Sequence, residues 1–192
     1  MIWFATENVL NRYSVTMLSV ALHNLRSLYN VGSVFRTASG AGFDHIYLSG
    51  YTGSPPHSRI AKVALGAEME VPFSCYSNLD SLLSALENHY TVILERDSGA
   101  QLFSEIIPPD NLPVTLVLGE ELFGVSSPLL QRADVIAEIP MAGKKGSLNV
   151  ASAFAIVAYD LAAKLGKVGS AQLSVNRPAD TPRGGVLTRR ST

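Results

Sequence analysis

Short apolar runs alternate with amphipathic stretches along the chain, and this alternation predicts an α/β domain with a mostly parallel sheet. The predicted strands, rich in β-branched and apolar residues, are 14–22, 45–48, 90–94, 114–118 and 135–139. The run 114–118 is apolar at nearly every position, which predicts a strand that is buried on both faces. The pattern therefore favours a single domain built around one sheet.

Helical periodicity fills the intervals between these strands. It predicts helices over 30–39, 59–67, 78–88, 126–132 and 147–165. The segment 78–88 is the clearest, because its leucines recur at helical spacing. The segment 147–165 is apolar nearly all round, which predicts burial. Ser147 is the expected N-cap of this helix and Gly166 its expected stop.

The composition changes at Lys167. The last 26 residues are rich in Gly, Ser, Pro and Arg, with five basic residues and one acidic residue, Asp180. We therefore expect a domain over 1–166, followed by a basic, mobile tail over 167–192. Two interpretations of the tail stay open: an inert solvated segment, or an electrostatic arm for nucleic-acid phosphates.

Charge and cysteine content limit the classes of function. Hydrophobic residues make up 47% of the chain and its net charge is −1, so any nucleic-acid contact must come from a local basic patch. The single cysteine, Cys75, excludes an intramolecular disulfide and a thiolate metal cluster. No apolar run approaches the ~20 residues of a membrane span. We expect a cytoplasmic protein that uses neither a metal nor a membrane.

Polar residues gather at three places in this apolar chain. The first is residues 24–37, where asparagines and arginines surround a glycine turn at a strand-to-helix junction that suits anion binding. Arg36 has apolar neighbours, so its guanidinium needs a partner such as a phosphate. Equally open is a simple structural role, with Asn30 as an N-cap and Arg36 on the surface.

The second and third places follow the predicted strands 114–118 and 135–139. Gly119, Glu121 and Gly124 lie where parallel sheets bind ligands, although a plain turn has the same composition. Residues 139–150 form a glycine- and lysine-containing loop that ends in the first turn of a buried helix. Ser147 is explained there by capping, whereas Asn149 within an apolar helix needs a partner.

These segments, taken in order, resemble the SpoU branch of the SPOUT superfamily of RNA methyltransferases. The first resembles the motif N-x-R-x-x-x-N-x-G-x-x-x-R-T, and the second resembles G-x-E-x-x-G. The third resembles I-P-M-x-G followed by S-L-N-V. Each motif is weak alone, and their order and separation make the resemblance specific.

The resemblance implies transfer of a methyl group from S-adenosylmethionine to the 2′-hydroxyl of an RNA ribose, with tRNA favoured over rRNA. It implies a parallel α/β fold with a C-terminal deep trefoil knot, and a homodimer whose active site lies near the subunit interface. The runner-up interpretation is a non-catalytic, dimeric RNA-binding module that keeps this fold.

The resemblance also assigns site residues. The catalytic set is Arg36, Asn30, Glu121, Ser147 and Asn149. The cofactor contacts are Leu94, Leu118, Gly119, Gly124, Ile139, Met141, Ser147 and Leu148, and the RNA contacts are Arg26, Arg36, Lys144 and Lys145. Arg36 is expected either to accept the hydroxyl proton or, because arginine stays protonated, to anchor a phosphate.

Overall fold

Seven parallel strands form the sheet at the centre of the computed structural model, which describes residues 16–169. They are β1 (Leu18–His23), β2 (His45–Ser49), β3 (Phe73–Tyr76), β4 (Tyr90–Leu94), β5 (Gln101–Leu102), β6 (Val114–Leu118) and β7 (Val135–Glu138). Their order across the sheet is β3-β2-β1-β6-β4-β7-β5. The prediction of a parallel α/β sheet is confirmed. Strand β6 lies between β1 and β4 and is buried at every position, as its apolar run predicts.

The two strands that the hydrophobic pattern does not predict, β3 and β5, are the edge strands. Strand β3 has four residues, none of them buried, and β5 has only two. An edge strand pairs on one side only and needs no apolar run, so its sequence signal is weak. The predicted β1 begins at 14, but Ser14 and Val15 lie outside the described residues.

Six α-helices and one short 3-10 helix (Phe103–Glu105) connect the strands in the described part of the chain. They are α1 (Leu28–Ala41), α2 (Ser58–Ala64), α3 (Ala67–Glu70), α4 (Leu79–Ala85), α5 (Ser127–Arg132) and α6 (Val150–Lys164). Two apolar clusters cover the two faces of the sheet. One includes Phe35 of α1 and Phe154 of α6, and the other includes Leu82 of α4 and Leu129 of α5.

Helix α1 begins earlier than its hydrophobic pattern predicts. Its N-cap is Ser27, whose hydroxyl oxygen accepts a hydrogen bond from the backbone N–H of Asn30 at 3.3 Å. The interpretation of Asn30 as an N-cap is therefore wrong, since Asn30 lies within the first turn and its side chain is available for other contacts. Gly42, in the left-handed conformation (φ 73°), ends the helix.

Gly32 lies inside α1 rather than in a turn. A Cβ placed on Gly32 would lie 2.6 Å from the carbonyl oxygen of Ile60 in α2. The glycine therefore lets the backbones of α1 and α2 approach closely, and the expectation of a glycine turn at the strand-to-helix junction is wrong.

The helix predicted over 59–67 is interrupted. Leu65 and Gly66 have positive φ angles of 53° and 98°, so α2 ends and the separate short helix α3 begins at Ala67. Gly66 is the residue whose type signals this break.

Helix α6 also begins at a different residue from the one predicted. Its N-cap is Asn149, whose Oδ1 accepts hydrogen bonds from the backbone N–H groups of Ala151 (3.0 Å) and Ser152 (3.3 Å). Ser147 lies in the preceding exposed loop, so the prediction that it caps the helix is wrong. Helix α6 is not buried on all sides either, because Ile156 and Tyr159 are 41% and 47% exposed.

The predicted tail begins with a residue that is attached to the domain. Lys167 is almost buried, and its Nζ lies 2.7 Å from the Asp44 carboxylate. Most of the predicted tail (170–192) and the N-terminal segment (1–15) lie outside the described residues. Over 16–169, no helix is long and apolar enough to span a membrane.

Candidate active site

A cavity of about 660 Å³ opens at the carboxyl edge of β4, β6 and β7. Its wall consists of the ends of these strands, the loop 119–124 and the segment 146–150. All eight residues that the resemblance assigns to the cofactor line it: Leu94, Leu118, Gly119, Gly124, Ile139, Met141, Ser147 and Leu148. The eight residues thus line one cavity, and their role as cofactor contacts stays a prediction.

A chain of hydrogen bonds joins the three motif segments at the rim of this cavity. Glu121 Oε1 accepts from Asn30 Nδ2 at 3.1 Å, and Asn30 Oδ1 accepts from Asn149 Nδ2 at 3.1 Å. Asn149 Oδ1 is occupied by the backbone of α6, so its Nδ2 must point toward Asn30. The side chains predicted to be catalytic on three separate segments are thus oriented by one another, and each amide keeps a second N–H.

Glu121 is held at the start of α1 by backbone as well as side-chain donors. Its carboxylate accepts from the backbone N–H groups of Arg26 (3.2 Å) and Ser27 (3.3 Å), besides Asn30. Burial raises the pKa of the Glu121 carboxyl, but hydrogen bonds from its own backbone N–H and from Arg26, Asn30 and Ser27 outweigh burial and lower it overall. Glu121 is therefore an ionised acceptor at neutral pH.

The loop 119–124 closes on itself. The backbone N–H of Glu120 donates to the carbonyl of Gly124 at 3.0 Å, and the N–H of Gly124 donates back at 2.9 Å. A Cβ on Gly119 would collide with the backbone of Gly124, and Gly124 has a φ of 71°. Both motif glycines are therefore required by the backbone itself, and residues 121–123 project from a closed loop.

Glu95 supports this loop from the end of β4. Its Oε2 accepts from the backbone N–H of Val125 at 2.9 Å, and both Glu95 and Arg96 line the cavity. The sequence offered one signal, a carboxylate directly after a strand, but such residues more often belong to turns. Asp97 does have a turn role, because it accepts from the backbone N–H of Gly99 at 2.9 Å.

Ser147, Lys144 and Lys145 lie on the exposed segment 142–149. Ser147 lines the cavity, whereas the two lysines do not. Arg26, the other predicted RNA contact, pairs through Nη2 with Glu120 Oε1 at 3.4 Å, and its side chain is 69% exposed. Arg26, Lys144 and Lys145 are therefore not part of the cavity wall, and their role as RNA contacts stays a prediction.

Arg36 is not brought into this cluster. It lies on the exposed side of α1, and within residues 16–169 it has neither a hydrogen bond nor an ion pair. At 100° per residue, Arg36 is about 120° around the helix from Asn30, so the two side chains leave α1 in different directions. Within one protein molecule, Arg36 is therefore separate from the hydrogen-bonded residues Glu121, Asn30 and Asn149.

Asn24, the first residue of the first motif, has a structural role. It adopts a positive φ of 60°, and its Oδ1 accepts from the backbone N–H of Tyr51 at 3.2 Å. Its Nδ2 lies 3.1 Å from His23 Nε2, and His23 Nδ1 lies 3.2 Å from the Ser49 hydroxyl. Burial lowers the pKa of His23, which keeps the ring neutral. This cluster fixes the loop that presents Arg26 and Ser27 to Glu121.

The arrangement can hold and orient a polar substrate beside a ligand in the cavity. Among the described residues, no group of three or more His, Cys, Asp and Glu side chains is placed to hold a metal ion. Amide, hydroxyl, guanidinium and carboxylate groups line the cavity and can bind a polar ligand by hydrogen bonds; they belong to Asn149, Ser147, Arg96, Glu95, Glu120, Glu121 and Glu138.

Comparison with known proteins places these motifs in a family. The model of the SpoU rRNA Methylase family matches residues 17–159. A 23S rRNA (guanosine(2553)-2′-O)-methyltransferase of Bacillus subtilis is 32% identical over 135 residues, which are 69% of this chain and 52% of that protein. A 23S rRNA (guanosine-2′-O-)-methyltransferase of Pseudomonas aeruginosa is 27% identical over 157 residues, or 81% of this chain and 62% of that protein.

The fold is similar to that of solved structures in the same group. The AdoMet-bound rRNA methyltransferase of Sinorhizobium meliloti superposes with a TM-score of 0.70 and 28% sequence identity, over 75% of this chain and 55% of that one. The chain spans about three fifths of the length of the first curated relatives it matches.

Proposed function

Because this chain belongs to the SpoU rRNA Methylase family, we propose that it transfers a methyl group from S-adenosylmethionine to the 2′-hydroxyl of a ribose in RNA. The observation that carries this proposal is the hydrogen-bonded chain Glu121–Asn30–Asn149 at the mouth of a cavity. These side chains come from three segments that are far apart in sequence, and a merely structural loop has no need to orient all of them toward one opening.

The cavity fits S-adenosylmethionine in size and in the chemistry of its wall. Its volume of about 660 Å³ lies in the usual range for small-molecule sites. Apolar strand ends, Leu94, Leu118 and Ile139, offer surfaces for an adenine ring, and exposed backbone in the glycine loop offers donors and acceptors for its edge. When bound, the cofactor supplies an electrophilic methyl group on a sulfonium.

The chain's own residues position the nucleophile. The second N–H groups of Asn30 and Asn149 can bind the ribose oxygens or the adjacent phosphate, while the Glu121 carboxylate holds the Asn30 amide in one orientation. Ser147, at the cavity wall, is placed to hydrogen-bond the substrate or cofactor. Much of the rate then comes from holding the two reactants in line at short distance.

We propose that Arg36 acts in an active site completed by a second copy of the chain. Tyr29, Ser33, Arg36 and Gly40 recur at helical spacing on α1, and Tyr29 is 48% exposed. Helix α6 packs against α1 and exposes Ile156 and Tyr159. Exposed Tyr29, Ile156 and Tyr159, together with a guanidinium that has no partner within residues 16–169, suit a symmetric dimer contact. Arg36 would there anchor a phosphate or accept the hydroxyl proton.

We also propose that the C-terminal part of the chain forms a deep trefoil knot. In support, β7 pairs with β4 on one side and with β5 on the other, although β6 intervenes in sequence. After β7, the chain returns as α6 to pack against α1. An experimental structure in which the backbone is not knotted would contradict this proposal.

The substrate class that we propose is RNA, without a choice between tRNA and rRNA. The relatives' names include both tRNA/rRNA methyltransferases and 23S rRNA methyltransferases, so the expectation that tRNA is favoured over rRNA stays a prediction. The chemistry of the site concerns the ribose and its phosphates, which all RNA shares.

The test is incubation of the purified chain with radiolabelled S-adenosylmethionine and total RNA from cells that lack ribose methylation, followed by nuclease digestion and nucleoside analysis. We expect label in a 2′-O-methylated nucleoside, and the size of the labelled RNA identifies tRNA or rRNA. Cofactor binding without transfer to any RNA would contradict the proposal and favour a non-catalytic RNA-binding module.

A further inference from the structure

Two exposed aromatic side chains lie at the loop 119–124, one within it and one near it, and the proposed reaction does not use either. Phe123 is 82% exposed and lines the cavity. Tyr51 is 52% exposed, and its hydroxyl lies near the side chains of Glu120, in the same loop, and Arg26. Neither ring belongs to the two apolar clusters of the core.

The loop holds Phe123 in this exposed position instead of letting it fold inward. Two backbone hydrogen bonds join Glu120 and Gly124, Glu121 is bonded to the start of α1, and Glu95 holds Val125. The neighbouring Leu122 is 73% exposed and also lines the cavity, so the two side chains together present an apolar surface that suits a partner.

Tyr51 is fixed in a similar way. Its backbone N–H donates a hydrogen bond to the Asn24 side chain at 3.2 Å, and its hydroxyl lies near the Arg26–Glu120 ion pair. Arg26 is an exposed cation near Tyr51, and Arg96 is a cation in the cavity wall. Exposed aromatic rings with arginines nearby are a combination by which proteins bind unpaired nucleotides, since every base has a face that can stack.

We infer that Phe123 and Tyr51 form a stacking site for unpaired RNA nucleobases, with Phe123 beneath the base of the methylated nucleotide and Tyr51 beneath a neighbouring base. The inference rests on the proposed function for its RNA substrate. It means that the target nucleotide leaves its helix or loop stack, because a ribose hydroxyl can reach the cavity only when its base turns out toward the rim. The site is tolerant of base identity, because stacking reads the face of the base and not its edge.

Substitution of the rings tests the inference in the full-length protein. The variants are Phe123→Ala, Phe123→Leu, Phe123→Trp and Tyr51→Ala, with Ile107→Ala as the control, because Ile107 is 87% exposed and lies outside the cavity wall. One readout is the KM for the RNA methylated by the unsubstituted protein. The second is the Kd for a short, fluorescein-labelled single-stranded RNA of mixed sequence and for the same strand in a duplex.

We expect Phe123→Ala and Phe123→Leu to raise the RNA KM and the single-strand Kd by about 5- to 150-fold, the range that corresponds to one base–aromatic stack. Tyr51→Ala is expected to have a smaller effect in the same direction, and Phe123→Trp to stay close to the unsubstituted protein. Duplex binding, S-adenosylmethionine affinity by calorimetry and the Ile107→Ala control should all stay unchanged.

Several outcomes would overturn the inference. One is an active protein whose Phe123→Ala and Tyr51→Ala variants keep the RNA KM and single-strand Kd. Another is a Phe123→Ala variant with a changed oligomeric state, which would assign the ring to a subunit contact, or with lost cofactor affinity, which would assign it to the cofactor. Ring-dependent binding of single-stranded RNA in a protein that methylates no RNA would instead contradict the proposed function and keep the stacking site.

Discussion

The side-chain amide of Asn149 has two roles, one for its oxygen and one for its nitrogen. Its oxygen caps α6 and its nitrogen donates to Asn30, so the same side chain ends a loop and orients the rim of the cavity. Asparagine is a common helix N-cap, and here the cap leaves one amide N–H for Asn30 and a second for a substrate. At this scale, stability and chemistry are separable by replacing one end of the amide at a time.

Replacement of Asn149 by aspartate and by alanine separates the two roles. Asp keeps the capping oxygen but cannot donate to Asn30, whereas Ala loses both. We expect Asn149→Ala to lower the free energy of unfolding by about 1 kcal/mol and Asn149→Asp to change it little. Methyl transfer should fall by at least about tenfold in both variants, the loss of one positioning hydrogen bond. Urea unfolding and initial rates measure this, and full activity of Asn149→Asp would refute the positioning role.

At the scale of elements, the contact of α1 with α2 depends on the absence of a side chain. A Cβ added to Gly32 would lie 2.6 Å from the Ile60 carbonyl oxygen. A Cβ added to Gly40, on the same helix, would lie 3.0 Å from the hydroxyl of Tyr159. The Tyr159 hydroxyl is the far end of a flexible side chain and can shift slightly, whereas the Ile60 carbonyl is part of the α2 backbone and cannot. Replacement by alanine should therefore change the free energy of unfolding in opposite directions at these two glycines.

We expect Gly32→Ala to lower the free energy of unfolding by about 1–3 kcal/mol, because the helices must separate to admit the methyl group. Gly40→Ala should raise the free energy of unfolding by up to about 1 kcal/mol, because alanine is the better helix former. Denaturant titration of both variants measures the difference. A Gly32→Ala variant as stable as the natural chain would show that α2 is not held against α1 in solution.

At the scale of the whole molecule, three histidines are held neutral by the fold. Burial lowers the pKa of His23, His45 and His89, and Arg132 and His45 lower that of His89 further. His89 Nδ1 lies 2.6 Å from the Thr115 hydroxyl, and His45 Nε2 lies 2.9 Å from the Ser74 hydroxyl. All three side chains exist neutral within the sheet or directly against it.

Stability should therefore decrease on acidification. A histidine whose folded pKa is below its unfolded pKa binds more protons when unfolded, so its contribution is present above about pH 6.5 and is lost as the pH falls below it. We expect a lower free energy of unfolding at about pH 5.5 than at about pH 7.5. Urea titration at both values measures this, and a His45→Asn, His89→Asn double variant should flatten the dependence. An unchanged slope in that variant would assign the effect to other groups.

The proposed two-chain active site gives a prediction of its own. Arg36→Ala and Asn149→Ala are each expected to abolish most activity. If Arg36 acts across the interface, a mixture of the two denatured and refolded together contains heterodimers with one complete site. We then expect recovery of about a quarter of the natural activity, since half of the dimers are mixed and each has one of two sites intact. No recovery, with mixed dimers verified, would place Arg36 in the site of its own chain.

The order of apolar runs and turns in the sequence was enough to predict a parallel α/β sheet, the bounds of β4 and β6 and the burial of β6. These features depend on local periodicity, which each segment carries by itself. The edge strands, the break between α2 and α3 and the first residues of α1 and α6 were missed or misplaced. Edge strands pair on one side only and need no apolar run, and the first residue of a helix depends on which single residue caps it.

The sequence by itself determined which segments are polar and what chemistry they resemble: the motifs of residues 24–37, 119–124 and 139–150. Only the tertiary structure decided which of their side chains meet. It joined Glu121, Asn30 and Asn149, added Glu95 as a support, and left Arg36 on another side of α1. The reason is physical: a hydrogen bond between residues 119 positions apart depends on the parallel sheet that brings the carboxyl ends of its strands to one edge.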